Sequence, residues 1–204
     1  MKKIEMIWRE ILFGAIEKKN FQFTQKELAR DLGVSTSTIF QALQVPRRMG
    51  AVRVTGRFFV LADVEKLLYH WANVRNLEKD VMLRSHVDLP VLEIEGMIPA
   101  GLTFGLYSAC RQLLPQVPAD YDTVYVYAKD ILPIKERFGL DKAGRARPKR
   151  ANLVILKADP MLGRYGSVTT LAQTFVDLWN LADWQAKDFT KALGEKIDGL
   201  LFES

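Results

Sequence analysis

Residues 21–61 read FQFTQKELARDLGVSTSTIFQALQVPRRMGAVRVTGRFFVL, and this stretch decides the fold. Thr24 and Glu27 have the spacing of a capping box, in which the Thr hydroxyl accepts a hydrogen bond from the Glu27 amide and the Glu reaches back to the Thr24 amide. The apolar side of the helix that follows consists of Leu28, Ala29 and Leu32. Gly33 is typical of a helix end, because the left-handed cap favours a residue without a Cβ atom. A short helix ending at Gly33 is predicted.

A second helix is predicted directly after this turn, with Ser35 as its N-cap. Helical periodicity directs Ile39, Ala42 and Leu43 toward the core. The side chains that then face outward are Thr36, Ser37, Phe40, Gln41 and Gln44. Two helices joined by a short turn that contains Gly form a helix-turn-helix, whose second helix lies in the major groove of DNA.

The segment from Gly50 to Val60 predicts a β-hairpin, because two alternating strands flank a turn at Thr55 and Gly56. A hairpin after this helix pair indicates a winged helix-turn-helix. The candidate DNA contacts are Lys26, Ser35, Thr36, Ser37, Phe40, Gln41, Gln44, Arg47, Arg48, Arg53 and Arg57. Such modules also serve as protein–protein adaptors, so an adaptor is one alternative.

Positive charge is concentrated in this first part of the chain. Of the 29 basic and 24 acidic residues, residues 1–61 hold 11 basic and 5 acidic ones, a net charge of +6. The remaining residues hold 18 basic and 19 acidic ones, a net charge of −1. A phosphate-binding face concentrates cations in this way, which favours double-stranded DNA as the partner.

Composition excludes several classes. No run of about 18 apolar residues is present, so no membrane span is expected. Glu5, Arg9 and Glu10 interrupt any apolar core of a signal peptide. Cys110 is the single cysteine, which excludes an internal disulfide and fits a cytoplasmic location. With two histidines besides, the chain lacks the residues of the usual structural zinc sites, and neither a metal nor a cofactor is expected.

The chain is predicted to be an α+β protein in three parts: a winged helix-turn-helix at 1–62, a connecting helix at 63–79 and a mixed α/β C-terminal domain at 80–204. An amphipathic helix from Ile4 to Ile16 precedes the deciding stretch, with Arg9 off its apolar stripe. The strands predicted in the last part are 81–87, 123–128 and 152–156, the last of them central. Its predicted helices are 103–114, 131–138, one that begins at Thr170 and one that Asp183 caps.

The C-terminal part lacks the motifs of common enzymes, namely GxxxxGK[ST], GxGxxG and GxSxG. Gly166 and Ser167 fit the Gly-Ser of a nucleotidyltransferase, but the next acid is Asp177, inside a helical pattern. Asp120 and Asp122 form an Asp-x-Asp without a preceding Gly-Ser. No catalytic residue is assigned and the chain is not expected to be an enzyme. A degenerate or unfamiliar nucleic-acid-processing domain stays open as the alternative.

The segment 141–150 stands out by its charge, with five cations against a single acid and with Gly and Pro disfavouring a helix. Its basic residues are Lys142, Arg145, Arg147, Lys149 and Arg150. They form either an exposed loop or a second contact to an anionic surface of DNA or of a partner.

Most of the chain resembles the AbiEi family, the antitoxin-regulators of type IV toxin–antitoxin systems. The resemblance rests on the N-terminal winged helix, on FFVLAD at 58–63 and on VTTLAQTFVDL at 168–178. The latter is similar to a Gln-x-x-x-Asp-Leu element of that family. The resemblance implies a transcriptional regulator that represses its own promoter, and a C-terminal domain that opposes a partner toxin of nucleotidyltransferase type.

Overall fold

The computed structural model describes residues 1–140 and 150–202, and these ranges form an α+β fold with two small β-sheets. The helices are α1 (Lys3–Lys18), α2 (Gln25–Leu32), α3 (Thr36–Arg48), α4 (Val64–Val74), α5 (Val91–Met97), α6 (Leu106–Leu113), α7 (Leu132–Phe138), α8 (Leu171–Trp179) and α9 (Trp184–Phe202). The strands are β1 (Gln22–Phe23), β2 (Val52–Thr55), β3 (Phe58–Leu61), β4 (Val81–Ser85), β5 (Thr103–Gly105), β6 (Val124–Ala128) and β7 (Leu153–Lys157).

Each sheet belongs to one half of the chain. The first has the order β1-β3-β2 and is antiparallel throughout. The second has the order β4-β7-β6-β5, with β6 and β7 parallel and the outer pairs antiparallel. The central position predicted for the strand at 152–156 is confirmed, since β7 lies between β4 and β6.

The predicted caps of the two short helices are present. Thr24 accepts a hydrogen bond from the amide of Glu27 at 3.1 Å, and Ser35 accepts one from the amide of Thr38 at 3.2 Å. The second half of the capping box differs from the prediction. The Glu27 carboxylate accepts a hydrogen bond from the Thr24 hydroxyl at 2.7 Å, and not from the Thr24 amide. Gly33 ends α2 with a φ of 62°, as a left-handed cap requires.

The turn of the first hairpin lies one residue further along than predicted. Thr55 pairs with Phe58, so the two loop residues are Gly56 and Arg57 instead of Thr55 and Gly56. Gly56 has a φ of 59°, which fits the first central position of a type II′ turn, where Gly is favoured. The shift places Arg57 at the tip of the hairpin.

α3 contains a proline, and a side chain of α1 supplies the hydrogen bond that this proline cannot make. Pro46 has no N–H group, so it cannot donate the helical hydrogen bond to the carbonyl of Ala42. The indole N–H of Trp8 on α1 donates to that carbonyl instead, at 2.8 Å. Both Trp8 and Ala42 are buried, and this bond therefore ties α1 to the last turns of α3.

The C-terminal predictions are confirmed at most positions and wrong at two. β4 and β6 occupy the predicted strand segments 81–87 and 123–128, and α7 occupies the predicted helix 131–138. α8 and α9 begin directly after Thr170 and Asp183, as predicted. The predicted helix 103–114 begins instead with β5, whose Thr103 and Phe104 pair with β6. Gly105 favours this arrangement, since a Cβ atom there would lie 2.8 Å from the ring of Tyr127. α5 was not predicted, because seven residues give a short periodic signal.

One buried cluster runs from α1 to α9 and crosses both predicted domain boundaries. α1 lies at its centre and contacts α3, α4 and α8. A second, smaller cluster fills the opposite face of the second sheet, beneath α5 and α7. The division into 1–62, 63–79 and 80–204 stays a prediction, and the packing joins these parts through shared apolar contacts. Within the described ranges no helix is long and apolar enough to cross a membrane.

We predict that Trp8→Phe lowers the free energy of unfolding by about 1–3 kcal/mol, because it leaves the buried Ala42 carbonyl without a donor. In a Pro46→Ala background the new N–H of residue 46 can donate to that carbonyl. Trp8→Phe should therefore lower the free energy of unfolding clearly less in this background. Urea unfolding of the four proteins of this double-mutant cycle measures the difference.

Trp184→Phe serves as the control, since Trp184 is 75% exposed and its replacement should have little effect on stability. Equal costs of Trp8→Phe in the two backgrounds would contradict the role given to the indole N–H.

Candidate nucleic-acid interface

The outward face of α3 presents the side chains that the sequence predicts to face outward. Its exposed residues are Thr36, Ser37, Phe40, Gln41 and Gln44. The opposite face is buried through Ile39, Ala42 and Leu43. Phe40 is 46% exposed, so its ring is accessible from solvent instead of packed against α1.

Hydrogen bonds divide this face into occupied and free side chains. The Ser35 hydroxyl caps α3 and lies 2.8 Å from the hydroxyls of both Ser37 and Thr38. Ser35 therefore has a structural role as the cap of α3, and its contact with DNA stays a prediction. Within the described part of the chain, the side-chain amides of Gln41 and Gln44 take part in no hydrogen bond, which leaves them free to bind.

The predicted basic contacts are exposed. Arg47 and Arg48 lie in the last turn of α3, Arg53 lies on β2 and Arg57 at the hairpin tip. Lys26 is exposed on α2. In residues 1–140 and 150–202 none of these five cations forms an ion pair with a carboxylate. Gln44, Arg47 and Arg48 together line one depression of this surface.

Three of the five acidic residues of the first part are turned away from this face. Glu5 is buried and accepts hydrogen bonds from Trp71 and Arg75 at 3.3 Å. Glu10 accepts one from the Tyr165 hydroxyl. Glu17 accepts one from the Leu171 amide at 3.0 Å, and burial raises the pKa of its carboxyl.

Glu27 and Asp31 are thus the exposed carboxylates among residues 1–61. The outward surface is more positive than the net charge of the segment suggests, because α1 directs its acids toward α4 and the C-terminal part. Sequence reasoning identified the cations but missed this segregation. The signal was present in the periodicity of α1, on which Glu10 and Glu17 are seven residues apart and so share one side.

Arg9, predicted to lie off the apolar stripe of α1, is instead fully buried. Its guanidinium donates to both carboxylate oxygens of Asp159 at 2.7 and 2.8 Å, and to the Gln173 side chain at 3.0 Å. It also lies 4.7 Å from the ring centroid of Tyr165. Burial by itself would raise the pKa of Asp159, but the hydrogen bonds and charge of Arg9 lower it.

Arg75, directly after α4, holds a second buried cluster. Its guanidinium contacts Asp177 at 2.9 Å, Asp80 at 2.6 Å and Glu5 at 3.3 Å. The Tyr127 hydroxyl donates to Asp177 at 2.5 Å, and burial followed by the charge of Asp177 raises the pKa of that hydroxyl. The carboxylate of Asp177, which the sequence places inside a helical pattern, is fully buried and accepts hydrogen bonds from both Arg75 and Tyr127.

Within the described ranges, two further acids meet the cationic segment through ion pairs with Arg150 and form no larger cluster with it. Asp122 pairs with Arg150 at 3.2 Å and accepts the hydroxyl of Thr123 at 2.8 Å. Arg150 also lies 3.5 Å from Asp183. The other predicted partner contacts, Lys142, Arg145, Arg147 and Lys149, lie outside the described residues. Within the described residues, no three His, Cys, Asp or Glu side chains are grouped so that they could hold a metal ion.

No model of a known protein family, no curated protein and no solved structure matches this chain. The candidate interface is therefore defined by its own geometry: the exposed polar face of α3, the arginines of α3 and of the hairpin that have no carboxylate partner within the described ranges, and the inward-directed acids of α1.

Proposed function

We propose that residues 1–62 form a winged helix-turn-helix that binds double-stranded DNA, and that the protein regulates transcription. The observation that carries this proposal is the outward face of α3, which presents exposed Gln amides together with Arg47 and Arg48, none of them paired within the described part of the chain. In this arrangement α3 enters the major groove, where Gln can bridge N6 and N7 of adenine. The exposed ring of Phe40 is suited to contact a thymine methyl group.

The arginines position the module on the DNA. Arg47 and Arg48 follow the base-reading face of α3 at its C-terminal end, and Arg53 and Arg57 lie on the β2–β3 hairpin. Cations in these places contact phosphates, which supply affinity and a strong dependence on salt. The inward orientation of Glu5, Glu10 and Glu17 supports this role, because it removes negative charge from the approaching phosphates.

The fuller proposal is an autorepressing antitoxin of a type IV toxin–antitoxin pair, with the C-terminal part opposing a nucleotidyltransferase-like toxin. It is supported by the resemblance of the segments 58–63 and 168–178 to the AbiEi family. Asp177, in the second of these segments, holds Arg75 and Tyr127 in the core, so this element stabilises the fold. On this proposal the C-terminal part acts by contact with its partner and catalyses no reaction.

The Arg53→Ala/Arg57→Ala variant should bind duplex DNA more weakly, and the slope of log K against log salt should decrease by about 0.9 for each lost phosphate contact. Fluorescence anisotropy with a labelled duplex at several salt concentrations measures both quantities.

Lys129→Ala/Arg137→Ala is the matched control, because it removes the same charge from exposed positions of the C-terminal part. If the hairpin variant has the affinity and slope of the parent, the hairpin does not contact phosphates.

Gln41→Ala should reduce the discrimination between the preferred DNA sequence and random DNA by about 1–3 kcal/mol, since it removes one base contact. Binding to random duplex should change little. The preferred sequence is first selected by the parent protein from a random duplex library, and competition binding then gives both affinities.

Gln112→Ala, an exposed glutamine on α6, should leave both affinities unchanged. A parallel loss of both affinities in Gln41→Ala would show that Gln41 does not read a base.

The antitoxin proposal predicts that co-expression of this chain restores growth to cells that express a nucleotidyltransferase toxin from the adjacent gene. Arg145→Ala/Arg147→Ala/Lys149→Ala should weaken this protection through loss of positive charge, and repression of a promoter reporter should persist. Arg150 stays unchanged in the variant, because it pairs with Asp122 and Asp183.

Magnesium- or manganese-dependent nuclease or nucleotidyl transfer activity of the purified protein, abolished by Asp122→Ala, would contradict the proposed role and support an enzyme. Asp177 is unsuited to this test, because its replacement disturbs the buried cluster around Arg75.

A further inference from the structure

A cavity of about 600 Å³ opens between α4, α8 and α9, and the proposed DNA-binding residues are not part of it. Sites for small molecules commonly have volumes of about 300–1,000 Å³ and are lined mainly by apolar and aromatic side chains. Tyr69 of α4 and Phe175 and Trp179 of α8 form one wall, and α9 forms the other. The volume and the aromatic wall both fit a small organic ligand, and the α9 wall adds the charged side chains Lys187, Lys191, Glu195 and Asp198.

The three rings of this wall form a right-angled corner. Phe175 and Trp179 are stacked, with their planes 20° apart and their centroids 6.1 Å apart. Tyr69 is nearly perpendicular to both, at 86° to Phe175 and 76° to Trp179, with centroid distances of 5.6 and 5.2 Å. Trp179 is 44% exposed although it belongs to this cluster. Part of its indole is therefore available to a ligand, and indole faces attract cations more strongly than other aromatic rings do.

Charge is distributed unevenly along the cavity. A smaller cavity adjoins it, shares Tyr69, Phe175 and Asp198 with it, and adds Glu65 of α4. Lys187 and Lys191 lie on the rim of the larger cavity, where Lys191 is 3.8 Å from Glu195. Neither Glu65 nor Asp198 has an ion-pair partner among the residues that the structure describes. The end of the cavity near α4 is thus an aromatic corner with two uncompensated carboxylates.

We propose that this cavity binds a small organic cation with an aromatic ring. The ring packs on Trp179 and against Tyr69, and the ammonium group lies toward Asp198 and Glu65. Aromatic faces and carboxylates both stabilise a positive charge, so a neutral ligand of the same shape binds less well and an anion least well.

The position of the cavity connects it to the N-terminal part. α4 begins directly after β3 of the hairpin, contributes Tyr69 to the cavity and is followed by the buried Arg75. A ligand that fixes α4 against α8 therefore acts on the helix that continues from the hairpin. We expect binding of the cation to change the affinity for DNA, and DNA to change the affinity for the cation by the same factor. This regulatory step rests on the proposed function, whereas the binding step does not.

Three probes of similar shape and different charge test the binding step on the full chain: 2-phenylethylammonium, 2-phenylethanol and phenylacetate. Titrations followed by NMR should give dissociation constants that increase in this order, with about a tenfold or larger difference between the first and the last. Trp179→Ala should weaken binding of the ammonium and of the alcohol, because both pack their ring on the indole.

Asp198→Asn should reduce the advantage of the ammonium over the alcohol about threefold or more, and leave binding of the alcohol unchanged. Asp188→Asn is the matched control, since Asp188 is exposed on α9 and does not line the cavity. Equal affinities for the three probes, or equal effects of the two Asp→Asn substitutions, would overturn the proposal.

The regulatory step is tested by repeating DNA titrations with and without 2-phenylethylammonium. A change in DNA affinity that Trp179→Ala abolishes supports the coupling, and an unchanged affinity at saturating probe rules it out. If the protein binds the ammonium and no DNA under any condition, the proposed function fails and the ligand site stands.

Discussion

The packing of this protein depends on two buried guanidinium groups. Arg9 reaches from α1 to Asp159, and Arg75 reaches from the end of α4 to Asp177 and Asp80. Loss of one partner from such a cluster leaves a buried charge uncompensated, at a cost of about 3–5 kcal/mol. The total stability of a typical protein is about 5–15 kcal/mol, so these ion pairs hold α1 and α4 against α8 and the segments that flank β4 and β7.

The pairing of charged groups in the core also determines the charge of the surface on the other side of α1. The carboxylates of this helix meet the guanidinium of Arg75 after α4 and hydroxyl and amide donors of the C-terminal part, which withdraws their charge from solvent. The cations of α3 and of the hairpin have no such partners within the described ranges. The core therefore determines which sign of charge remains outside, and the proposed DNA-binding face is a product of the packing as much as of the sequence of α3.

Local signals in the sequence predicted local structure well. The caps at Thr24 and Ser35, the helix end at Gly33 and the exposed face of α3 depend on residues within a few positions of one another. The burial of Arg9 could not be predicted, because its partner Asp159 is 150 residues away. The strand β5 was missed for a similar reason, since its pairing with β6 outweighs the helical spacing of its sequence. The one-residue shift of the hairpin turn follows from strand pairing, which periodicity alone does not define.

The hydrogen bond from Trp8 to the Ala42 carbonyl has a consequence for recognition. A helix with an internal proline usually bends or frays near it, because its ladder is interrupted there. In this protein α1 replaces the missing donor, and the final turn that carries Arg47 and Arg48 is held in place before any ligand arrives. On the proposed function, association with DNA then loses the entropy of a few side chains and not that of a backbone segment. The turn that carries Arg47 and Arg48 is thus already ordered in the free protein.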